Sequence, residues 1–270
     1  MTPLARALPM VLLLVGCRGP SEPTVAAAAP APVVVPAADP VEGQRVARRV
    51  GCTGCHGEDG AGKELWSQPD RFTVRSANLT EKRALYSDEG LHALLGEGRT
   101  HDGHAPFGMP VFMLQRMSVR ERGDVIAWMR ALPAVSNPTL QTTWLSDGVK
   151  RQIDERTLPE DDYLPDPGVT SPPERPTEPL ALGEYLAMTS CTECHGRDLR
   201  GWAPDDPAPS LVGAKAYSPD AFRRLMREGL VASGEPSKSG FMTAVAKQRF
   251  AGLHDAEIDA LKAWLDARAP

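Results

Sequence analysis

The sequence predicts an all-α chain made of two related helical domains in tandem. Three observations predict it. A pattern of about 90 residues, running from about Asp39 to Pro133, recurs from about Ala181 to Pro270. Each copy carries one Cys-x-x-Cys-His pentad near its start and one amphipathic helix at its end. Apolar residues recur at helical spacing, with no strand alternation in either copy.

The chain has 270 residues, enough for two ordinary domains. Ala7 to Gly16 is a short apolar run behind Arg6, the pattern of an export signal rather than of a bilayer-spanning helix. It ends Leu14-Val15-Gly16-Cys17, which resembles the bacterial lipobox. Residues 1–16 therefore read as a signal peptide and Cys17 as the lipidated N-terminus of the mature chain. Residues 17–38 are rich in Pro and Ala with almost no charge, the composition of a semi-rigid tether. Extended at about 3.1 Å per residue, the stretch Arg18–Ala38 reaches on the order of 65 Å.

The first repeat, 39–133, opens with a helix around Gly43 that leads into Cys52-Thr53-Gly54-Cys55-His56. Ser87 and Gly98 then bracket a helical pattern with Leu91, Leu94 and Leu95 on one face. Ser suits the N-cap and Gly the C-cap. Val119 to Leu132 closes the repeat with Val125, Ile126 and Met129 inward. The second repeat, 181–270, matches it step by step. A helix around Gly183 leads into Cys191-Thr192-Glu193-Cys194-His195. Ser218 to Gly229 presents Phe222, Leu225 and Met226, and Asp255 to Arg268 presents Ile258, Leu261 and Leu265. Trp128 and Trp264 occupy matching positions.

Residues 134–180 form a Pro-rich acidic linker. Trp144, Leu145, Val149 and Ile153 predict a short docking helix, and the prolines from Pro165 to Pro179 predict extended, exposed chain. The linker carries nine acidic and four basic residues, so it accounts for the formal charge of −5, while the repeats are nearly neutral. Glu160, Asp161 and Asp162 are candidates either for steering a basic partner or simply for keeping the segment solvated. This charge distribution argues against nucleic acid as a partner.

Cys-x-x-Cys-His is the c-type haem attachment signature. Two thiols one helical turn apart can each add to a vinyl group of one porphyrin, and the adjacent histidine reaches the iron. Cys52, Cys55, Cys191 and Cys194 are thus the covalent attachment residues for two haem c groups, with His56 and His195 as proximal iron ligands. Buried macrocycles also suit a chain with only 6% aromatic residues. The competing readings are a redox dithiol, which needs βαβ surroundings, and zinc, which needs four close ligands. For the sixth ligand each repeat offers a methionine between its last two helices, Met109 and Met242. Met113, Met117, His101 and His104 compete with Met109, and Met226 and Met188 with Met242. A thioether favours ferrous iron and raises the potential, whereas a second histidine lowers it.

Taken together, Gly43 or Gly183, the pentad, the loop methionine and the amphipathic closing helix with its aromatic resemble class I cytochrome c domains, over about two thirds of the chain. The resemblance implies a small helical fold whose first and last helices cross beside the haem. It also implies a proline after the pentad that orients the proximal histidine. Pro209 fits that role, and Ala77 stands at the corresponding place in the first repeat. The family ligand is usually followed by proline, as Met109 is by Pro110; Met242 is followed by Thr243. The whole looks like a dihaem cytochrome c lipoprotein on the periplasmic side of a bacterial membrane. Such a protein passes single electrons between donor and acceptor proteins in or at the membrane, with no bond chemistry of its own. Two alternatives stand beside it: a peroxidase-like or small-anion haem enzyme with one open distal site, and a haem subunit of a membrane dehydrogenase complex.

Overall fold

The computed structural model describes residues 37–155, 157–158, 164–202 and 208–268. The expected signal peptide and tether up to residue 36, Cys17 among them, and the triplet Glu160–Asp162 lie outside the described residues.

The first domain runs through α1 (Pro40–Arg49), α2 (Cys52–His56), a hairpin of β1 (Glu64–Gln68) and β2 (Phe72–Arg75), and the single turn α3 (Leu79–Lys82). It continues with α4 (Asp88–Glu97), α5 (Val111–Leu114) and α6 (Val119–Ala131). The connecting segment adds β3 (Trp144–Leu145) and α7 (Asp147–Asp154). The second domain comprises α8 (Pro179–Ser190), α9 (Thr192–His195), α10 (Pro219–Glu228), α11 (Phe241–Val245) and α12 (Asp255–Ala267). A single π-helical turn, Ala246–Phe250, follows α11.

Helix ends fall where capping chemistry puts them. Ser87 Oγ accepts the Gly90 N–H, and Ser218 Oγ accepts the Ala221 N–H, each satisfying one orphan donor of a first turn. Gly98 and Gly229 end α4 and α10 at φ of +65° and +73°, a left-handed conformation that suits glycine.

The first and last helices of each domain cross at a glycine. A Cβ on Gly43 would lie 1.8 Å from the Asp124 carbonyl oxygen of α6. A Cβ on Gly183 would lie 2.1 Å from that of Ala260 in α12. Only a residue without a side chain allows the two backbones this close. Each domain has its own core. Val46, Ala47, Leu91, Phe112, Met113, Met117 and Ile126 fill the first; Leu186, Leu199, Phe222, Ile258 and Leu261 fill the second.

Two features depart from the sequence reading. A three-stranded antiparallel sheet in the order β1-β2-β3 forms where no strand was expected. Its strands span two to five residues, too short for alternation to stand out, and Asp70 turns the hairpin at φ +61°, which a short polar side chain tolerates. Phe72 and Val74 of β2 meet Val149 of α7 and Leu158 in a third small core, which explains why Val149 and Ile153 are apolar.

The second departure is the connecting segment, which is packed rather than free. The carbonyls of Pro172 and Pro173 accept the N–H groups of Val119 and Arg120 at the start of α6, where a helix has no internal acceptors to offer. Asp166 pairs with Arg116 of the first domain at 2.9 Å and with Arg197 of the second. Arg175 pairs with Glu257 of α12 at 2.5 Å and lies 3.7 Å from Glu121 of α6.

Candidate haem-attachment sites

Within the first domain, α1 ends at Arg49, Gly51 turns at φ +90°, and α2 begins with Cys52. The helix places Cys52 and Cys55 one turn apart, with His56 next. His56 Nδ1 lies 2.8 Å from the Ala77 carbonyl oxygen. A carbonyl only accepts, so Nδ1 carries the proton and Nε2 keeps its lone pair for a metal. Burial lowers the imidazole pKa and so favours the neutral ring, outweighing the hydrogen bond to Ala77, which raises it. His195 repeats the arrangement, with Nδ1 at 2.6 Å from the Pro209 carbonyl oxygen. The orienting group is a backbone carbonyl, so Ala77 does in the first domain what Pro209 does in the second.

Cys52, Cys55 and His56 open onto a cavity of about 350 Å³. Its wall is mostly apolar, with Leu79, Leu91, Leu94, Val125 and Met129 contributing, and Met109 and His101 reach it too. Met113 and Met117 are fully buried core residues and do not line it. His104 is exposed and does not line it either. His101 stands edge-on to Tyr86, with ring centroids 5.3 Å apart.

The loop carrying Met109 is held by the sheet. Phe107 packs edge-on against Phe72 at 5.7 Å, and Gly108, at φ +76°, lies so near Trp66 that a Cβ would meet the indole at 3.1 Å. This support could not be read from the sequence, because its parts come from residues 66, 72 and 149. Met242 sits differently. It lies in the first turn of α11 rather than in an open loop, and packs with Cys191 against the second core. Thr243 pins that turn: its hydroxyl donates to the Gly229 carbonyl at 2.6 Å and lies 2.8 Å from the Ser237 N–H, which it accepts. Met226 is a core residue of α10, as its helical position predicts.

The donor sets fit c-type haem and fit the rival chemistries badly. Burial, with the neighbouring cysteine adding, pushes the Cys52 and Cys191 thiols up to about 12. A redox dithiol needs a depressed value. Among the described residues no three His, Cys, Asp or Glu side chains are grouped to hold a metal ion, so the zinc reading lacks its ligands. Apolar walls, paired cysteines and a neutral imidazole with a free Nε2 are what covalent haem requires.

Sequence reasoning missed a polar cluster that joins the domains. Arg49, 1% exposed, donates to Glu121 at 2.5 Å and to Thr189 Oγ1 at 2.8 Å in α8. Tyr185 donates its hydroxyl to the same Glu121 oxygen at 2.6 Å and accepts the Ser118 N–H at 2.8 Å. Arg45 of α1 donates to Glu257 of α12 at 2.7 Å. Glu121 and Glu257 are the third residues of the two closing helices, a capping-box position legible in sequence. Their long-range partners are not.

A family model described as Cytochrome c matches residues 40–133 and again 180–268. A comparison with curated proteins gives no significant match. The two matched regions are the two glycine-crossed helical units, each with its own Cys-x-x-Cys-His. The chain thus belongs to the cytochrome c family, as a haem-containing electron-transfer protein with two domains of that family in tandem.

Proposed function

We propose that the protein carries two covalently bound haem c groups and passes single electrons between donor and acceptor proteins at a membrane. The observation that carries this reading is one apolar cavity lined by Cys52, Cys55, His56 and Met109, with the same donor types repeated in Cys191, Cys194, His195 and Met242. Haem iron supplies a one-electron ferric–ferrous couple there. The chain's residues do the rest. Cys52 with Cys55, and Cys191 with Cys194, hold the groups covalently. The Ala77 and Pro209 carbonyls orient His56 and His195 toward the iron. Met109 and Met242 would each offer a thioether to the iron, which would raise the potentials. The apolar wall keeps water out and lowers the local dielectric.

Cys17 is proposed as a lipidated N-terminus holding the domains on the periplasmic side of the membrane. No helix among the described residues is long and apolar enough to cross a bilayer. The prediction is that Cys17→Ser gives uncleaved precursor or a soluble form; a cleaved variant still held on the membrane refutes it.

The test of ligation is the long-wavelength ferric absorption band of Met–iron bonding. Met109→His and Met242→His are each expected to remove half of it and to lower one of two reduction potentials. Rapid cyanide binding to one haem of the oxidised wild-type protein would establish an open distal site. That result would move the reading to a haem enzyme.

A further inference from the structure

The two pentads differ in the residue before their second cysteine: Gly54 in the first, Glu193 in the second. The structure uses this difference. Glu193 reaches the wall of the first domain's cavity. Its carboxylate accepts a hydrogen bond of 2.6 Å from Arg249 Nη1, and the Arg249 side chain is only 9% exposed. Its backbone carbonyl accepts the Trp202 indole N–H at 2.9 Å, and the Trp202 ring stands edge-on to Phe112 of the first domain at 6.0 Å.

Arg249 leaves the π-helical turn of the second domain and lies over the entrance to the first pentad. A Cβ on Gly51 would come within 2.4 Å of its guanidinium, and one on Gly54 would meet Gln248 and Arg249 at 3.8 and 3.9 Å. Glycine at position 51 gives the arginine its seat, while at position 54 a Cβ would meet it at no more than ordinary contact. Just before the pentads the domains touch again, where Arg49 meets Thr189 and Ser190. The two attachment motifs therefore face each other, with one guanidinium between them.

We propose that Arg249, clamped by Glu193 and seated on Gly51, is a positioning residue that holds the two haem-attachment motifs together so that the two sites exchange electrons within one chain. The inference rests on both pentads holding haem. The exchange moves one electron: the ferrous iron of one site becomes ferric as the ferric iron of the other becomes ferrous, with no proton moved and no bond formed or broken. The chain would then act as one two-electron store rather than as two carriers on a string.

The experiment uses the full-length holoprotein, with haem content measured first by mass. Pulsed EPR then reads the magnetic interaction between the two ferric haems. Flash photoreduction of the half-reduced protein reads the rate at which the electron redistributes. The wild type is expected to show a measurable interaction and a redistribution rate independent of protein concentration. Arg249→Leu should slow that redistribution by about tenfold or more, as small misplacements of reacting groups do, with haem content unchanged. Arg249→Lys, which can still donate one hydrogen bond to Glu193, should restore most of the rate. Glu193→Gln serves as a second disruption if Arg249→Leu does not fold. A chain with fewer than two haems overturns the dihaem reading itself. Two haems with no magnetic interaction, a redistribution rate that scales with concentration, or an unchanged rate in every variant that folds overturns the positioning role alone.

Discussion

The two domains solve the same problem with different scaffolds. In both, a glycine lets the first and last helices touch, and a backbone carbonyl fixes the histidine. They part at the distal side. The first domain hangs Met109 on a loop and borrows β3 and α7 from the connecting segment to brace it, through Phe107, Phe72 and Trp66. The second places Met242 inside a helical turn, pinned through Thr243 and packed against the second core. A candidate ligand methionine can thus be held by secondary structure of its own or by a small core imported from elsewhere in the chain. The acidic connecting segment helps to support the Met109 loop as well as joining the domains.

The strongest way to break the comparison lies at the two glutamates. Glu121 is buried and answers the equally buried Arg49, so Glu121→Gln leaves a guanidinium inside without its counter-charge and should cost about 3 kcal/mol or more. Denaturant unfolding of the full chain, followed separately at each haem, should show the two domains losing their common transition. A midpoint equal to wild type would show that the pair does not couple them.

Next come the glycines. Gly43→Ala and Gly183→Ala each push a methyl group into a facing backbone carbonyl, at 1.8 and 2.1 Å, and should cost about 1–3 kcal/mol by overpacking. The two losses should be similar. A domain that accepts alanine without loss would not share the helix crossing of its partner.

A pH titration sharpens the contrast between the glutamates. Glu257 is pushed up by burial but pulled down further by hydrogen bonds from Arg45 and Arg175 and from the His254 backbone, to about 2 from an ordinary 4.5. A carboxylate held below its unfolded value stabilises the fold above that value, and the contribution is lost as pH falls toward the folded one. The join between α1, α12 and the connecting segment should therefore loosen as pH falls from 4.5 to about 2. Small-angle scattering should show the chain expanding over that window, and Glu257→Gln should remove that acid response. The smallest effect is expected at Asp166, whose pairs with Arg116 and Arg197 are partly solvated. Asp166→Asn should cost about 0.5–1 kcal/mol in the same unfolding assay, and a loss as large as that of Glu121→Gln would mean that the connecting segment, not α6, ties the domains.

The sequence alone determined the helices, their caps, the pairing of cysteines with histidines and the tandem plan. Each of those depends on residues within a few positions of one another. Ser87 capping α4, Gly229 ending α10 and Cys55 beside His56 are local chemistry, readable without a fold. Only the tertiary structure decided that Ala77 offers the same carbonyl as Pro209, that a sheet of very short strands braces Met109, and that Glu193 of one domain faces the cavity of the other. Those contacts join positions far apart in the chain, such as Arg45 and Glu257 across 212 residues. A backbone carbonyl leaves no mark on side-chain pattern, and strands of two to five residues are too short to show a period. A buried ion pair looks, in sequence, like any two surface charges until packing removes the water between them.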